Sequence, residues 1–346
     1  MNIKGKHFYN TADFSVDELN FLIDKAIKMK NGLIPIPQTM KGKSLSTMFF
    51  GPSLRTRLSF YAGVNKLGGT AIDLPVDGAG SYSFEFETGV VMNKSTKEHV
   101  KEAAQVISKY SEVIAIRSGE LITNSDVSVK VKSWDELKED KIQKEFMKYS
   151  KVPIINMESN VYHPCQALGD AMTIKDKLGN PKGKKYVMTW VNHPKSLPMA
   201  TPNSQIQSAC DLGMYVTVAF PKGWDLDPEI MKVAKAKAEQ AGGSLSFTNS
   251  IDEAFKDANI VCAKSWGALG YYGSWDKEAE AKKGLSNWIV DAEKMKSTNN
   301  AYFMHCLPVR RNVEVTDEVI DSPQSIVVDE AENRMWAQMA VLSEII

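Results

Sequence analysis

Cysteine is scarce in this sequence, and neither sign of charge is in excess. The four cysteines stand far apart, at positions 165, 210, 262 and 306, and none has the Cys-x-x-Cys or His/Cys spacing of a zinc site. We therefore expect reduced thiols, a cytoplasmic protein and no bound metal. Lysine plus arginine and aspartate plus glutamate number 42 each. This balance argues against general binding to nucleic acid or membrane surfaces, but a local cluster of arginines can still hold a small anion.

Long apolar runs and dinucleotide-binding turns are also missing. No apolar run has the length that spans a membrane, and the first residues, MNIKGKHFYN, do not resemble a signal peptide. A Gly-x-Gly-x-x-Gly turn after a strand is absent, which disfavours a nicotinamide-linked dehydrogenase. We therefore expect no cofactor, no nucleic-acid partner and no membrane association.

The sequence does contain an alternation of short apolar runs with helix-like stretches, which is typical of α/β proteins. A chain of 346 residues exceeds what one hydrophobic core usually serves, so we expect two domains. Ser15 and Glu18 predict a capping box at the start of the first helix. Strands are predicted at residues 44–50, 71–74, 113–116, 186–191, 215–220, 260–263, 302–306 and 325–328.

Each predicted domain holds a parallel β-sheet flanked by helices. We place the first domain at residues 1–155 and the second at residues 156–329, with a helix over 330–346 that packs back on the first. Ligands of open parallel sheets bind beyond the carboxyl ends of the strands. Polar residues directly after the predicted strands are therefore candidates for a functional site.

One such place is the turn Ser53-Leu54-Arg55-Thr56-Arg57, which follows the first predicted strand and begins a helix. Backbone N–H groups at the start of a helix lack partners within it and carry partial positive charge, which suits a phosphate. Arginine side chains add forked donors for anionic oxygens. The residues alone leave open an ordinary helix start with solvated arginines.

Three further motifs occupy predicted strand ends or helix starts: Arg117, the run His163-Pro164-Cys165-Gln166, and the run His305-Cys306-Leu307-Pro308 with Arg310 after it. Proline suits the first turn of a helix. Taken alone, a single arginine or histidine is more often structural than catalytic. In company with the Ser-Leu-Arg-Thr-Arg turn, these motifs resemble those of the aspartate and ornithine transcarbamylases, and the resemblance covers nearly the whole chain.

Other stretches separate the branches of this superfamily. The Ser-Met-Gly loop of the ornithine enzymes is missing, whereas residues 193–198 (HPKSLP), 264–269 (KSWGAL) and 299–312 (NNAYFMHCLPVRRN) resemble N-acetylornithine carbamoyltransferases and their N-succinylornithine relatives. The resemblance implies transfer of the carbamoyl group of carbamoyl phosphate to the δ-amine of N-acetyl-L-ornithine, giving N-acetyl-L-citrulline and phosphate in arginine biosynthesis. The N-succinylornithine enzyme is the close alternative. Ornithine carbamoyltransferase and a non-catalytic binding protein on the same scaffold are weaker ones.

The resemblance also implies roles for individual residues. Thr56, Arg117 and His163 would surround the carbamoyl oxygen, where fixed donors stabilise developing negative charge, and Cys306 is the fourth catalytic candidate. Carbamoyl phosphate would be bound by Ser53, Leu54, Arg55, Thr56, Arg57, Tyr82, Arg117, His163, Gln166, His305, Cys306, Leu307 and Arg310. The acylated ornithine would be bound by Glu158, Lys264, Leu197, Cys306, Leu307, Lys97 and Glu314.

Lys97 and Glu314 give opposite indications about the acyl group. Lys97 stands where the N-acetylornithine enzymes tend to have Glu and the N-succinylornithine enzymes Pro, and a cation there would favour a succinyl carboxylate. Glu314 replaces a Lys of the N-acetylornithine enzymes and would disfavour that carboxylate. The stretches at 193–198 and 264–269 favour the acetyl compound.

The resemblance further implies a homotrimer with shared active sites. Related enzymes reach into the neighbouring site with a Trp, and Tyr82 stands at that place here, within residues 78–87.

Overall fold

The computed structural model describes residues 2–76, 81–119 and 132–346. The first part of the chain forms a four-stranded parallel sheet with the order β2-β1-β5-β6 and a separate pair, β3 with β4. After a short 3-10 helix at Thr11–Asp13, its elements are α1 (Val16–Lys30), β1 (Ser44–Phe49), α2 (Arg55–Lys66), β2 (Thr70–Leu74), β3 (Phe84–Glu85), β4 (Glu98–His99), α3 (Val100–Ile107), β5 (Val113–Arg117), α4 (Trp134–Lys138), α5 (Lys141–Tyr149) and β6 (Ile154–Glu158).

The second part forms a five-stranded parallel sheet with the order β11-β10-β7-β8-β9. Its elements are α6 (Pro164–Leu178), β7 (Lys185–Trp190), α7 (Ala200–Asp211), β8 (Tyr215–Ala219), α8 (Pro228–Ala241), β9 (Ser244–Thr248), α9 (Ile251–Phe255), β10 (Ile260–Lys264), a 3-10 helix (Leu269–Tyr271), α10 (Trp275–Lys282), α11 (Ala292–Met295), β11 (Tyr302–Met304), α12 (Asp317–Ile320) and α13 (Val327–Ile345). Among the described residues, no helix combines the length and apolar composition needed to cross a membrane.

The strand order of each sheet reverses direction at one point, between β1 and β5 in the first sheet and between β7 and β10 in the second. Loops leave the carboxyl ends of the two strands in opposite directions at such a point and open a crevice between them. The strands on either side are buried: β10 buries all five residues, and β5 buries Val113–Ile116. Strands covered on both faces need continuous apolar runs.

The last helix returns to the first part of the chain. Helix α13 packs on α1, α2 and α6, and the backbone N–H of Gly5 donates to the carbonyl of Ile345 at 2.8 Å. Gly169 in α6 permits the close approach, because a Cβ there would lie 2.9 Å from Cγ and 3.2 Å from Cα of Arg334. The missing side chain thus lets α13 carry Arg334 close to the start of α6.

The predicted fold class is confirmed, since both sheets are parallel and flanked by helices. The capping box of Ser15 and Glu18 is present, and seven of the eight predicted strands lie within one or two residues of the observed ones. The strand predicted at 325–328 is wrong. Val327 already begins α13, and only Ser325 forms an isolated bridge, to Phe303.

Four strands had no counterpart in the prediction: the two-residue pair β3 and β4, and one strand in each of the two larger sheets. Strand β6 contains the buried polar Asn156, and β9 lies at the edge of its sheet with three of its five residues exposed, so neither presents the apolar run of a central strand. Strand β6 belongs to the first sheet and runs through the boundary predicted between residues 155 and 156. The division into two domains stays a prediction.

Candidate active site

A cavity of about 400 Å³ lies where the loops after strands of both sheets meet. Twelve predicted site residues line it: Ser53, Leu54, Arg55, Thr56, Arg117, Glu158, His163, Gln166, Leu197, Lys264, Cys306 and Leu307. Seven lining residues had no predicted role: Pro52, Gly119, His193, Pro198, Thr201, Pro308 and Arg334. Six predicted residues do not line it: Arg57, Tyr82, Lys97, His305, Arg310 and Glu314.

The wall after β1 is the start of helix α2. The helix begins at Arg55, and no side chain of the described residues caps it, so its first backbone N–H groups keep their partial positive charge. Its first turn contains no acidic residue. The side-chain Nε atom of Arg55 is buried without a hydrogen-bond partner among the described residues. This wall offers N–H donors of two kinds, from the backbone and from a guanidinium, to an anion.

Arg57 does not belong to this wall. Its guanidinium pairs with Asp73, and its Cζ lies 4.0 Å from the ring centroid of Phe49. Positions two apart on a helix point in different directions, so Arg55 and Arg57 cannot face the same cavity. The sequence predicted that both arginines bind phosphate, but of the two only Arg55 lines the cavity.

Arg117 and Glu158 form an ion pair at the ends of neighbouring strands. They are partners in the pairing of β5 with β6, and Nη2 of Arg117 lies 2.6 Å from Oε2 of Glu158. Burial alone would raise the pKa of Glu158, but the positive charge of Arg117 and its hydrogen bond to the carboxylate hold that pKa below its usual value. Glu158 is therefore ionised, and it orients the guanidinium at the mouth of the first sheet.

His163 is a neutral hydrogen-bond donor. Burial lowers its pKa to about 3, although the carboxylate of Glu158 opposes that shift. Its Nδ1 accepts the backbone N–H of Gln166 at 3.4 Å, so the ring proton belongs on Nε2, which lies 3.8 Å from Oε2 of Glu158. The ring therefore offers one N–H group as a hydrogen-bond donor, and at neutral pH it has no second proton to give as a general acid.

Gln166 rests on two buried carboxyl groups. Its Nε2 donates to Oδ1 of Asp170 at 2.7 Å and to Oε1 of Glu330 at 3.0 Å. The other oxygen of Glu330 accepts the backbone N–H of His305 at 2.9 Å. Burial raises the pKa of Asp170 to about 6, and burial with the neighbouring Asp170 raises the pKa of Glu330. Because the amide nitrogen of Gln166 is committed to these carboxyls, its oxygen remains to accept an N–H from a ligand.

Arg334 is the arginine among the seven lining residues that had no predicted role. It is 4% exposed, lines the cavity from α13, and donates from Nη2 to Oγ1 of Thr56 at 2.7 Å. Arg310 instead lies exposed outside the cavity and donates from Nε to Nε2 of His193 at 2.8 Å. The cavity is thus lined by the guanidinium of Arg334 and not by that of Arg310. The available signal was a pair of opposite charges, Glu330 and Arg334, spaced four residues apart as on one face of a helix.

The opposite wall comes from the second sheet. Lys264 ends β10, and Cys306 with Leu307 follow β11. Burial would lower the pKa of Lys264, but Cys306, Glu314 and other acidic neighbours raise it above its ordinary value, so the amine keeps its charge. Burial raises the pKa of the Cys306 thiol to about 11 even though Lys264 opposes the shift. Cys306 therefore lines the site as a neutral thiol and not as a nucleophile.

Glu314 and His305 lie behind this wall. Glu314 is 1% exposed, its Oε1 lies 3.5 Å from Nε2 of His305, and its Oε2 accepts the backbone N–H of Arg310 at 2.8 Å. Burial would raise the Glu314 pKa, but His305 and Lys264 lower it to about 2. The ring of His305 in turn accepts the N–H of Leu307 at 3.1 Å. Both residues hold the loop after β11, and Glu314 does not line the cavity.

Tyr82 and Lys97 form a small exposed surface beside β3 and β4, outside the cavity of this chain. The hydroxyl of Tyr82 donates to Oε2 of Glu98 at 2.8 Å, and Nζ of Lys97 lies 5.6 Å from the tyrosine ring centroid. Lys97 also donates to the carbonyl of Ser81 at 2.9 Å. The first residues of the predicted loop, 78–80, lie outside the described residues.

Comparison with known proteins gives matches over almost the whole chain. The model "Aspartate/ornithine carbamoyltransferase, carbamoyl-P binding domain" matches residues 6–176, and the model "Aspartate/ornithine carbamoyltransferase, Asp/Orn binding domain" matches residues 199–345. The chain is 42% identical to the N-acetylornithine carbamoyltransferase of Xanthomonas campestris pv. campestris, over 99% of this chain and 98% of that one. It is 35% identical to the N-succinylornithine carbamoyltransferase of Bacteroides fragilis, over 96% of each.

Solved structures agree with these relatives. A crystal structure of acetylornithine transcarbamylase complexed with acetylcitrulline superposes with a TM-score of 0.92 at 41% identity, covering 99% of each chain. A crystal structure of a mutant N-acetyl-L-ornithine transcarbamylase, complexed with carbamyl phosphate and N-succinyl-L-norvaline, has the same TM-score and identity and covers 99% of this chain and 100% of that one.

The raised pKa of Cys306 predicts slow alkylation at neutral pH. Only the thiolate reacts, so the rate with iodoacetamide should rise steadily with pH until about 11. The other three cysteines are buried, and mass spectrometry of the singly modified chain identifies the reacting residue. Lys264→Met should slow the reaction further, because the ammonium group lowers this pKa. Rapid modification near pH 7 would contradict a protonated thiol.

Proposed function

The chain belongs to the aspartate/ornithine carbamoyltransferase family, and we propose that it transfers the carbamoyl group of carbamoyl phosphate to the δ-amine of N-acetyl-L-ornithine. The products are N-acetyl-L-citrulline and phosphate, a step of arginine biosynthesis. One observation carries the proposal: the guanidinium groups of Arg55, Arg117 and Arg334 line one cavity, and the Nε atom of each is buried without a partner among the described residues. Such donors suit an anion with several oxygens.

The phosphate of the donor lies at the start of α2 in this proposal. Backbone N–H groups after Ser53 and the side chains of Arg55 and Thr56 face it. Arg334 already donates to the hydroxyl of Thr56, which leaves the rest of its guanidinium for the donor. The phosphate is therefore bound both by groups at the start of α2, which follows a strand of the first sheet, and by Arg334 of α13.

The carbamoyl group lies next to the phosphate. Its oxygen takes hydrogen bonds from Arg117 and from the Nε2–H of His163, and its NH₂ group donates to the amide oxygen of Gln166. Negative charge grows on the oxygen as the amine attacks, and donors fixed in advance stabilise that charge more than the ground state. Glu158 and the Asp170–Glu330 pair keep these donors in place.

The acceptor reaches the carbon from the second sheet. Its carboxylate pairs with the charged Lys264, and its δ-nitrogen arrives neutral beside Cys306 and Leu307. A free alkyl amine has a pKa of about 10.4, and the cationic cavity favours loss of its proton. A bond forms from the δ-nitrogen to the carbamoyl carbon, the bond from that carbon to the phosphate oxygen breaks, and the amine proton passes to the departing phosphate.

The acetyl compound is the proposed acceptor. The N-acetylornithine carbamoyltransferase relative is more similar than the N-succinylornithine one, at 42% against 35% identity. Lys97 and Glu314, which gave opposite indications, both lie outside the cavity of a single chain, so neither sets the charge beside the acyl group there. The N-succinyl compound stays the alternative, because a second chain that carried Lys97 to this cavity would add a cation to the site.

The proposed assembly is a homotrimer in the cytoplasm. Tyr82 and Lys97 support a trimer because they lie together on an exposed surface. A cluster of exposed apolar residues between β3 and β4 supports it too: Val90, Val91 and Met92. Exposed apolar clusters of this kind mark protein interfaces. Four free cysteines support a reducing compartment.

An acceptor assay tests the activity. Formation of citrulline-type product should be fastest with N-acetyl-L-ornithine when this compound, N-succinyl-L-ornithine and L-ornithine are compared at equal concentration with saturating carbamoyl phosphate. A faster rate with N-succinyl-L-ornithine would reassign the acyl group. A faster rate with L-ornithine would overturn the acceptor proposal, and no product from any of the three would overturn the activity.

Paired arginine variants test the donor site. Arg334→Gln should weaken carbamoyl phosphate binding by about tenfold or more, because a charge-assisted hydrogen bond is lost inside the cavity. Arg310→Gln removes the same charge outside the cavity and should change the affinity by no more than about threefold. Isothermal titration of both variants with carbamoyl phosphate decides the matter. Equal losses of affinity in the two variants, or a larger loss in Arg310→Gln, would contradict the assignment of Arg334 and favour Arg310 as the residue that binds carbamoyl phosphate.

A further inference from the structure

A buried ion pair lies on helix α10, away from the residues assigned above. Nζ of Lys282 lies 2.6 Å from Oε1 of Glu278, and the two side chains are 6% and 0% exposed. One residue further along, Lys283 pairs with Glu280 at 2.6 Å, but these side chains are 72% and 71% exposed. The run of Glu, Ala and Lys in this helix does not distinguish the two pairs in the sequence. Removing a charge pair from water costs free energy, so the position of the inner pair needs a reason.

The inner lysine is bonded to the loop that follows β7. Its Nζ donates to the carbonyl of Lys195 at 3.2 Å and lies 3.5 Å from Oγ of Ser196. Its own carbonyl accepts from Nδ2 of Asn192 at 3.2 Å. Burial lowers the pKa of Lys282, but the carboxylate of Glu278 opposes that shift. Glu278 thus acts as the counter-charge that keeps this donor in place.

The same loop forms a wall of the cavity on the acceptor side. His193 and Leu197 line the cavity, and the carbonyl of Leu197 accepts the N–H of Gly267 at 2.9 Å. The loop is therefore tied to the segment that begins with Lys264. The carbonyl of Lys195 is shared: Nδ1 of His193 lies 2.9 Å from it on one side, and Lys282 reaches it from the other.

We infer that Lys282, held by Glu278, is a positioning residue that fixes residues 192–198 and thereby the wall against which the acylated ornithine packs. This inference rests on the proposed function. Within the described part of the chain, the side-chain bonds of Lys282 all go to α10 and to the loop after β7, and none goes to the first sheet, where the phosphate site lies. Loss of Lys282 should therefore weaken binding of the acylated ornithine and leave binding of carbamoyl phosphate unchanged.

A purely structural role makes a different prediction. If the pair only stabilises α10, its removal lowers the melting temperature and reduces the fraction of active protein. The kinetics with carbamoyl phosphate and with the acylated ornithine would then change to the same extent. Lys282→Met alone leaves Glu278 buried without a counter-charge and is strongly destabilising for that reason. The double variant Lys282→Met with Glu278→Leu leaves no unpaired charge, so it carries the test even where the single variant fails to fold.

The experiment compares this double variant with its exposed counterpart, Lys283→Met with Glu280→Leu. The KM for each substrate is measured with the other saturating, and the melting temperature of every variant is recorded. We expect the inner double variant to raise the KM for N-acetyl-L-ornithine about tenfold or more and to change the KM for carbamoyl phosphate less than about twofold. The exposed double variant should change neither, and Lys282→Arg should retain most of the acceptor affinity. Equal changes in both KM values, or no change in either, would overturn the inference.

Hydrogen exchange provides a readout that does not depend on turnover. In the inner double variant, the backbone amides of residues 192–198 should exchange faster than in the wild type, and in the exposed double variant they should not. Unchanged exchange in this loop would also overturn the inference. An inactive wild-type protein would refute the proposed function, while the exchange result would still decide whether Lys282 fixes the loop.

Discussion

Four cationic side chains, Arg55, Arg117, Lys264 and Arg334, share one small cavity, and their mutual repulsion is the constraint on which the rest of the site depends. Like charges that line one cavity repel each other, and nearby negative charges reduce that repulsion. Glu158 supplies one of these by direct pairing with Arg117. An anionic ligand supplies more, so the site is built to gain electrostatic energy when carbamoyl phosphate enters.

The carboxyl groups that support the site come from separate parts of the chain. Glu158 ends β6, Glu314 follows the loop after β11, and Glu330 lies on α13. Each is buried or nearly so and supports a site residue: Arg117, Lys264 and Gln166 respectively. Burial disfavours the charged forms of both His163 and Cys306: the nearby cations add to this effect on the pKa of His163, whereas Lys264 opposes it on the pKa of the thiol. The chemistry then depends on fixed donors and not on a nucleophilic or acid–base side chain.

Local motifs predicted most of this site because each lies directly after a strand or at a helix start, and parallel sheets bring those places together. The predictions failed where the position of a side chain depends on its direction around a helix or on packing between distant parts of the chain. Arg57 belongs to the Ser53–Arg57 turn in sequence, but its side chain points away from the cavity and pairs with Asp73. Arg334 is distant in sequence and arrives only because α13 packs against Gly169. The apolar run at 325–328 begins a buried helix, which a short run cannot distinguish from a strand.

A crystal structure with carbamoyl phosphate and N-acetyl-L-norvaline, which lacks the reacting amine, tests the central claim most directly. We expect the phosphate at the start of α2 within hydrogen-bond distance of Arg55 and Arg334, and the carbamoyl oxygen beside Arg117 and Nε2 of His163. The carboxylate of the norvaline compound should contact Lys264. Density for the phosphate at any other place, or a carbamoyl oxygen that faces away from His163, would contradict the account.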